Sequence, residues 1–280
     1  MSLYIAALNS GSNGNCYYVG NEQEAVFIDA GISCRETEAR MKRLKLSMDK
    51  VKAIIVSHEH ADHIAGIKSL VKKYKLPVYI TAGTLQSRKL WLEKQFIVPF
   101  VSDEVIRVGG LSIKAFFKHH DANDPHSFTV SGNGVTIGVF TDIGQSCDGL
   151  VQHFKQCHAA FLESNYDEHM LLNGRYPYVL KNRIRGGKGH LSNVQALEIF
   201  TAHRPDFMSH LLLAHLSKDN NSPHLVYELF RAVAGDTHIT VASRDRETEV
   251  YHITATGTQT QAHMAVPAAA NPPQPQLLLF

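Results

Sequence analysis

Apolar residues recur along the chain with two periods, and the switches between them predict the elements. Short β-type runs at Leu3 to Leu8, Cys16 to Val19 and Ala25 to Asp29 are separated by the Gly/Asn/Ser loop Asn9 to Asn15 and by Gly20-Asn21, the pattern of an antiparallel meander. Ser33 caps a helix through about Leu46, with Glu36 three residues on as in a capping box. Ala53-Ile54-Ile55-Val56 is an uninterrupted apolar run, as in a strand covered on both faces, and it leads directly to His58. Helical spacing follows from Ile64 to Tyr74, then a strand at Val78-Tyr79-Ile80.

The second half repeats the alternation. Strands are expected at Leu111 to Phe117, Ser127 to Val130 and Val135 to Phe140, the last two joined as a hairpin through Gly132-Asn133-Gly134. Further strands are expected at Ala159 to Leu162, Leu211 to Ala214 and His238 to Val241, with helices at Cys147 to Gln156, Asn193 to Ala202 and Pro223 to Val233. Strand groups flanked by helices in two successive halves predict an α/β (α+β) fold with two sheets packed between helix layers. The domain is expected to span 1–257. From residue 258 to 280 the chain is rich in Ala, Pro and Gln without period or core formers, which predicts a disordered tail.

Composition narrows the class. Of 280 residues, 44% are hydrophobic and 19% charged, as in a globular domain, and the net charge of +2 sets up no global field toward nucleic acid or membrane. The N-terminus lacks a charged region followed by an apolar core, and no stretch reaches the roughly 18 uncharged residues of a spanning helix, so a cytoplasmic protein without membrane contact is expected. Four cysteines without CxxC spacing argue against a zinc knuckle or a disulfide framework. Histidine is the outlier: there are 17, several of them beside Asp, Gly or another His.

In His58-Glu59-His60-Ala61-Asp62-His63 four ligand-type side chains fall within six residues, where a strand gives way to a helix. Such a turn can direct His58 and His60 to one metal ion while Asp62 and His63 face a second, and the N/O donors suit zinc, manganese or iron. It is not the HExxH pattern, because Asp62 stands four after His58. Other polar groups end apolar strands: His119-His120-Asp121, Asp142 and His215. His119 and His120 point to opposite faces if the strand continues through them, so one is a ligand and the other is not. His190 and His215 lie in nearly the same words, Gly-His-Leu-Ser and Ala-His-Leu-Ser; His215 ends an apolar strand and is taken as the ligand, leaving His190 as a candidate proton donor to a leaving group.

Asp29, the HxHxDH run, a His after a strand, an Asp after a strand and a final His resemble, in order, the five motifs of the metallo-β-lactamase superfamily, over roughly residues 3 to 253. The resemblance implies a four-layer αββα sandwich and a pair of divalent ions, zinc first and manganese or iron as alternatives. By position, His58, His60 and His120 would hold the first ion and Asp62, His63 and His215 the second, with Asp142 bridging and Asp29 supporting the motif loop. Water between two such ions loses its proton near neutral pH and becomes the nucleophile, with Asp62 and His190 as the residues to test for catalysis.

Local words narrow it further. Ser10-Gly11-Ser12-Asn13-Gly14-Asn15, Glu163-Ser164-Asn165-Tyr166-Asp167, Gly174-Arg175-Tyr176-Pro177, Gly189-His190-Leu191-Ser192-Asn193 and Leu216-Ser217-Lys218-Asp219-Asn220-Asn221 are similar to the YycJ/WalJ group, related to tRNase Z and RNase J. That group implies a nuclease with 5′-exonuclease action, and nucleic acid, DNA before RNA, as substrate. Arg175, Lys181, Arg183, Arg185 and Lys188 lie between His169 and Leu197 with no Asp or Glu among them, a run that can track a phosphate backbone. Ser12, Asn13, Asn165, Arg175 and Lys188 are the candidate substrate contacts. The alternative is a small-molecule hydrolase of the same fold, acting on a β-lactam or lactone. His126 departs from the group, standing after Asp-Pro where a small apolar residue is expected.

Overall fold

The strand-forming runs pair into two sheets in the computed structural model, which describes residues 2–87, 90–256 and 260–261. In chain order the strands are β1 (Ser2–Asn9), β2 (Cys16–Gly20), β3 (Ala25–Ile28), β4 (Val51–Ile55), β5 (Val78–Ile80), β6 (Ile97–Pro99), β7 (Val105–Val108), β8 (Leu111–Phe117), β9 (His126–Gly132), β10 (Val135–Phe140), β11 (Ala159–Glu163), β12 (His210–Ala214), β13 (His238–Val241), β14 (Tyr251–Thr254) and β15 (Thr260–Gln261). The first sheet runs β15-β14-β1-β2-β3-β4-β5-β6 and the second β13-β12-β11-β10-β9-β8-β7. Both are mixed: β1 to β3 are antiparallel and β3 to β6 parallel, while β7 to β10 are antiparallel and β10 to β13 parallel.

Parallel neighbours need crossovers, and helices supply most of them. They are α1 (Cys34–Arg43), α2 (Ala61–Ile64), α3 (Ile67–Tyr74), α4 (Ala82–Gln86), α5 (Asp148–Phe154), α6 (Glu168–Asn173), α7 (Tyr178–Arg185), α8 (Asn193–His203) and α9 (Pro223–Arg231). Ser33 caps α1 by accepting from the Glu36 amide, but the Glu36 carboxylate turns to Arg40 at 2.7 Å, so only half of the expected capping box forms. The full box is at Ser192 and Gln195, opening α8.

Three apolar layers separate the four structural ones. Along β1, Leu3, Ile5 and Ala7 face a core shared with Phe128, Phe161 and Leu212 of the second sheet. Ala6 and Leu8 face the opposite way, into a core with Met41 of α1 and Leu70 of α3. The outer face of the second sheet packs Leu211 and Leu213 against Phe200 of α8 and Phe230 of α9. This is the αββα sandwich, and the period-two alternation survives in β1 because both of its faces are covered.

Two residues of the expected tail, Thr260–Gln261, form β15 on β14; the rest of that stretch, 258–259 and 262–280, lies outside the described residues. No helix among the described residues is long and apolar enough to cross a membrane.

Candidate metal centre

Most polar groups of the centre stand at the carboxyl end of a strand. Asp29 follows β3, Ser57 to His63 follow β4, Lys118 to His120 follow β8, Asp142 follows β10, Glu163 ends β11 and His215 follows β12. Asp29, Asp142 and His215 take left-handed backbone conformations, with φ of 60°, 56° and 56°. Asp and His are among the non-glycine residues that best tolerate that region, at a cost on the order of 1 kcal/mol each. Gly31 lets the chain after Asp29 pass against the motif turn: a Cβ there would lie 1.7 Å from the Asp62 carbonyl oxygen.

Donors converge in overlapping groups, two of them built on the motif turn. His58 Nε2 lies 3.1 Å from His60 Nδ1, and His120 Nε2 lies 3.3 Å from the same nitrogen. In the second group His63 Nε2 is 3.4 Å from Asp62 Oδ2 and 3.2 Å from Asp142 Oδ2, and His215 Nε2 is 3.5 Å from Asp62 Oδ2. Donors bound about 2.1 Å from one ion in tetrahedral array are about 3.4 Å apart, so both groups have the spacing of a coordination shell. Asp142 Oδ2 and His215 Nε2 are buried with no hydrogen-bond partner among the described residues, as metal-directed atoms should be. Asp142 also spans the groups, with Oδ2 toward His63 and Oδ1 3.9 Å from His120 Nε2.

Partners behind the imidazoles fix which nitrogen faces the centre. Asp29 Oδ2 takes the His63 Nδ1 proton at 2.7 Å while its oxygens also accept from the Ser57 amide (2.8 Å) and hydroxyl (2.7 Å). Ser57 Oγ meets His58 Nδ1 at 2.9 Å, the Gly189 carbonyl accepts from His120 Nδ1 at 3.0 Å, and Glu163 Oε1 accepts from His215 Nδ1 at 2.8 Å. Each leaves an Nε2 lone pair turned inward.

The electrostatics divide the two groups. Burial holds His58 and His60 below the usual imidazole range and pushes His120 down to about 4, giving three neutral imidazoles. Burial also opposes an imidazolium at His63 and His215, but the carboxylates of Asp142, Asp29 and Asp62 outweigh it at His63, and Asp142, Asp62 and Glu163 push His215 up to about 10. Four buried or largely buried carboxylates, Asp29, Asp62, Asp142 and Glu163, stand against one buried ammonium, Lys118, whose Nζ donates to the Thr141 carbonyl at 2.7 Å. The donors therefore fit divalent cations in spacing and in charge, a cation taking the place of the protons that the carboxylates otherwise draw onto His63 and His215.

His120 is buried in the first group, whereas His119 packs edge-on against exposed Phe117. His215 falls in the second group, and with Asp142, Glu163 and His190 it also forms a third group that could hold an ion; His190 is partly exposed, with Nδ1 2.8 Å from Glu163 Oε1. Glu163, which sequence reasoning assigned no role, is fully buried; its Oε2 accepts from the Ile143 and Leu191 amides, and although burial opposes its charge, His190 and His215 hold its carboxyl down to about 2. Asn15 was likewise missed: its Oδ1 accepts from the Gly11 amide, which fixes the flip and points Nδ2 at Asp62 Oδ2, 3.1 Å away.

The expected substrate contacts fare differently. Lys188 is exposed at the rim, packed on Gly144 and one residue before the Gly189 carbonyl that holds His120, and Arg175 is exposed on the α6–α7 connection. Asn165 is buried, its amide spent on the His215 carbonyl at 2.7 Å, so it reaches the centre only through His215. Ser12 and Asn13 are engaged with Arg244, Ser12 Oγ accepting from its Nη2 at 3.0 Å and Asn13 Nδ2 donating to its carbonyl at 2.9 Å. His126 is buried against Phe100 on β9, outside the donor groups.

Comparison with known proteins agrees with this architecture. A family described as the beta-lactamase superfamily domain matches residues 24–215. The chain is 36% identical over 230 residues to exodeoxyribonuclease YycJ of Bacillus anthracis, covering 80% of this chain and 86% of that one. It is 28% identical over 227 residues to exodeoxyribonuclease WalJ of Streptococcus pneumoniae, covering 79% and 84%. The metallo-β-lactamase fold protein YhfI of Bacillus subtilis superimposes with a TM-score of 0.69 at 18% identity, over 90% of this chain and 100% of that chain.

Proposed function

Because the chain belongs to the beta-lactamase superfamily, we propose that it is a metal-dependent nuclease that cleaves phosphodiester bonds of DNA from an end. The observation that carries this is the pair of adjoining donor groups, His58, His60 and His120 beside Asp62, His63, Asp142 and His215, with Asp142 Oδ1 of the second 3.9 Å from His120 Nε2 of the first. His58, His60 and His120 hold one ion, Asp62, His63 and His215 the other, zinc in the first instance and manganese or iron as alternatives. Bound there, divalent ions supply Lewis acidity to a phosphate oxygen and bring the pKa of water toward neutrality.

The remaining work falls to the chain itself. Glu163 holds the Nδ1 proton of His190, so the opposite nitrogen is left to give a proton to the departing oxygen. Asp29, Ser57 and Asn15 keep His63, His58 and Asp62 in place. Lys188 and Arg175 offer cations at the rim to the phosphate backbone. The exodeoxyribonuclease names of the relatives favour DNA over RNA, and a cytoplasmic location goes with that substrate.

The test is cleavage of end-labelled single- and double-stranded DNA, with RNA beside it, by protein loaded with Zn²⁺ or Mn²⁺. Mononucleotides released from one end are expected. No cleavage by folded, metal-loaded protein would overturn the reading.

A further inference from the structure

A cavity of about 660 Å³ lies against the metal centre and takes no part in the chemistry above. One wall is the chain that directly follows His215, Leu216 to Lys218, and the facing wall is residues 242 to 249. Ser10 joins the two places: it lines the cavity, and its Oγ accepts from the His215 amide at 2.8 Å. The volume falls in the range of about 300–1,000 Å³ typical of small-ligand sites.

Arg244 lines this cavity and is held there by the N-terminal loop. Its Nη2 donates to Ser12 Oγ, its carbonyl accepts from Asn13 Nδ2, and the neighbouring Ser243 carbonyl accepts from the Ser10 amide at 3.0 Å. Gly11 (φ +146°) permits the approach, since a Cβ there would lie 2.9 Å from Nη2 and 3.3 Å from the arginine Cβ. Ser12 Oγ is the guanidinium's one side-chain hydrogen-bond acceptor among the described residues, so most of its planar fork of donors has no such partner. The same loop, through Asn15, holds the metal-directed carboxylate of Asp62.

Charge limits what the cavity takes. Lys218, Arg244 and Arg246 line it, but so do Asp245, Glu247 and Glu249, with Glu247 already neutralised by a two-bond pair with Arg43 at 2.7 and 2.8 Å. A long polyanion would meet repulsion, whereas a single phosphate read by one oriented arginine would not. Tyr176, whose hydroxyl donates to Asp219 Oδ2 at 3.1 Å beside Lys218, brings an aromatic ring from the α6–α7 connection to this side of the centre.

We propose that the cavity beside His215 is the subsite for a nucleotide unit flanking the scissile bond, with Arg244, set by the Ser10 to Asn15 loop, as its phosphate anchor. This rests on the nuclease reading, and the test separates the two. An end-phosphorylated hexadeoxynucleotide with phosphorothioate linkages is titrated by fluorescence anisotropy into Mn²⁺-loaded wild type, Arg244→Ala and Arg244→Lys at several salt concentrations. Cleavage of the ordinary oligonucleotide is followed in parallel. Arg244→Ala is expected to weaken binding about tenfold or more and to reduce the slope of log affinity against log salt by about 0.7, with Arg244→Lys recovering part of the affinity. Wild-type affinity and slope in Arg244→Ala, whatever its melting temperature, would reduce Arg244 to a clamp for the loop and overturn the subsite even if DNA is cut. Lost binding in the variant with no cleavage by wild type would instead sink the nuclease reading, and with it the place beside a scissile bond, while keeping Arg244 as the phosphate anchor of the cavity, and no binding by wild type would overturn the subsite outright.

Discussion

Asp29 and Glu163 do not stand between the donor groups, yet each decides which nitrogen of an imidazole faces them. Asp29→Asn keeps the shape and tolerates the left-handed backbone but presents an amide to His63; metal affinity is expected to fall about 10- to 100-fold in a chelator competition. Glu163 serves two imidazoles, and so predicts two phenotypes. His190→Ala should keep its metal content and lose about 10²- to 10⁴-fold in kcat on DNA, but much less on a p-nitrophenyl phosphodiester whose leaving group needs no proton. Glu163→Gln should show that same dependence on leaving group and also lose metal, read by elemental analysis. The expected donors were legible in the sequence because the motif turn, His120, Asp142 and His215 each come shortly after an apolar run. Glu163 obeys the same rule at the end of β11 and was readable in principle. Asn15 was not, because its partner Asp62 is 47 positions away and is chosen by tertiary structure alone.

At the scale of elements, the strands that carry the centre were predicted within a residue or two, β4, β11 and β12 from apolar runs covered on both faces and β8 from the alternation of Leu111, Ile113 and Ala115 with Ser112 and Lys114. The short pieces were not: β6 ends in Pro99 on a sheet edge, and α6 and α7 span six and eight residues, too few for a period to show. Their folding changes the meaning of the basic run between His169 and Leu197. Lys181 donates to the Leu172 carbonyl at 2.7 Å, tying α7 to α6, and Arg183 pairs with Asp121 at 2.5 Å beside His120. Lys188 and Arg175 remain exposed without such pairs among the described residues. Accordingly, Lys188→Ala and Arg175→Ala should each lower the salt slope of oligonucleotide binding by about 0.7, measured by anisotropy, whereas Lys181→Ala should act on thermal stability.

On the scale of the molecule, the seam between the sheets is bound at both ends of β12. At one end stands the metal centre with His215; at the other, His210 packs on His238 of β13 and on Tyr251 of the first sheet, with ring centroids 5.3 and 5.1 Å away. Burial, then His238, pushes His210 down to about 4. A histidine whose folded pKa lies below its unfolded value near 6.5 contributes its full stability above that value and loses it as pH falls toward 4. Urea unfolding at pH 7 and pH 4.5 should show a loss in the wild type, on the order of 2 kcal/mol from this group, that His210→Gln lacks.

The donor groups draw on residues 58–63 beside the first sheet and on His120, Asp142 and His215 beside the second. Because these halves belong to different sheets, the centre is complete only when the sheets are docked, and it is expected to form late in refolding. Interactions absent from a folding transition state act on the way out of the native basin, and ions held here should leave the refolding rate nearly unchanged while slowing unfolding. The pair of ions would then work as a latch on lifetime, and chelation would be felt first as a shortened half-life of the folded chain.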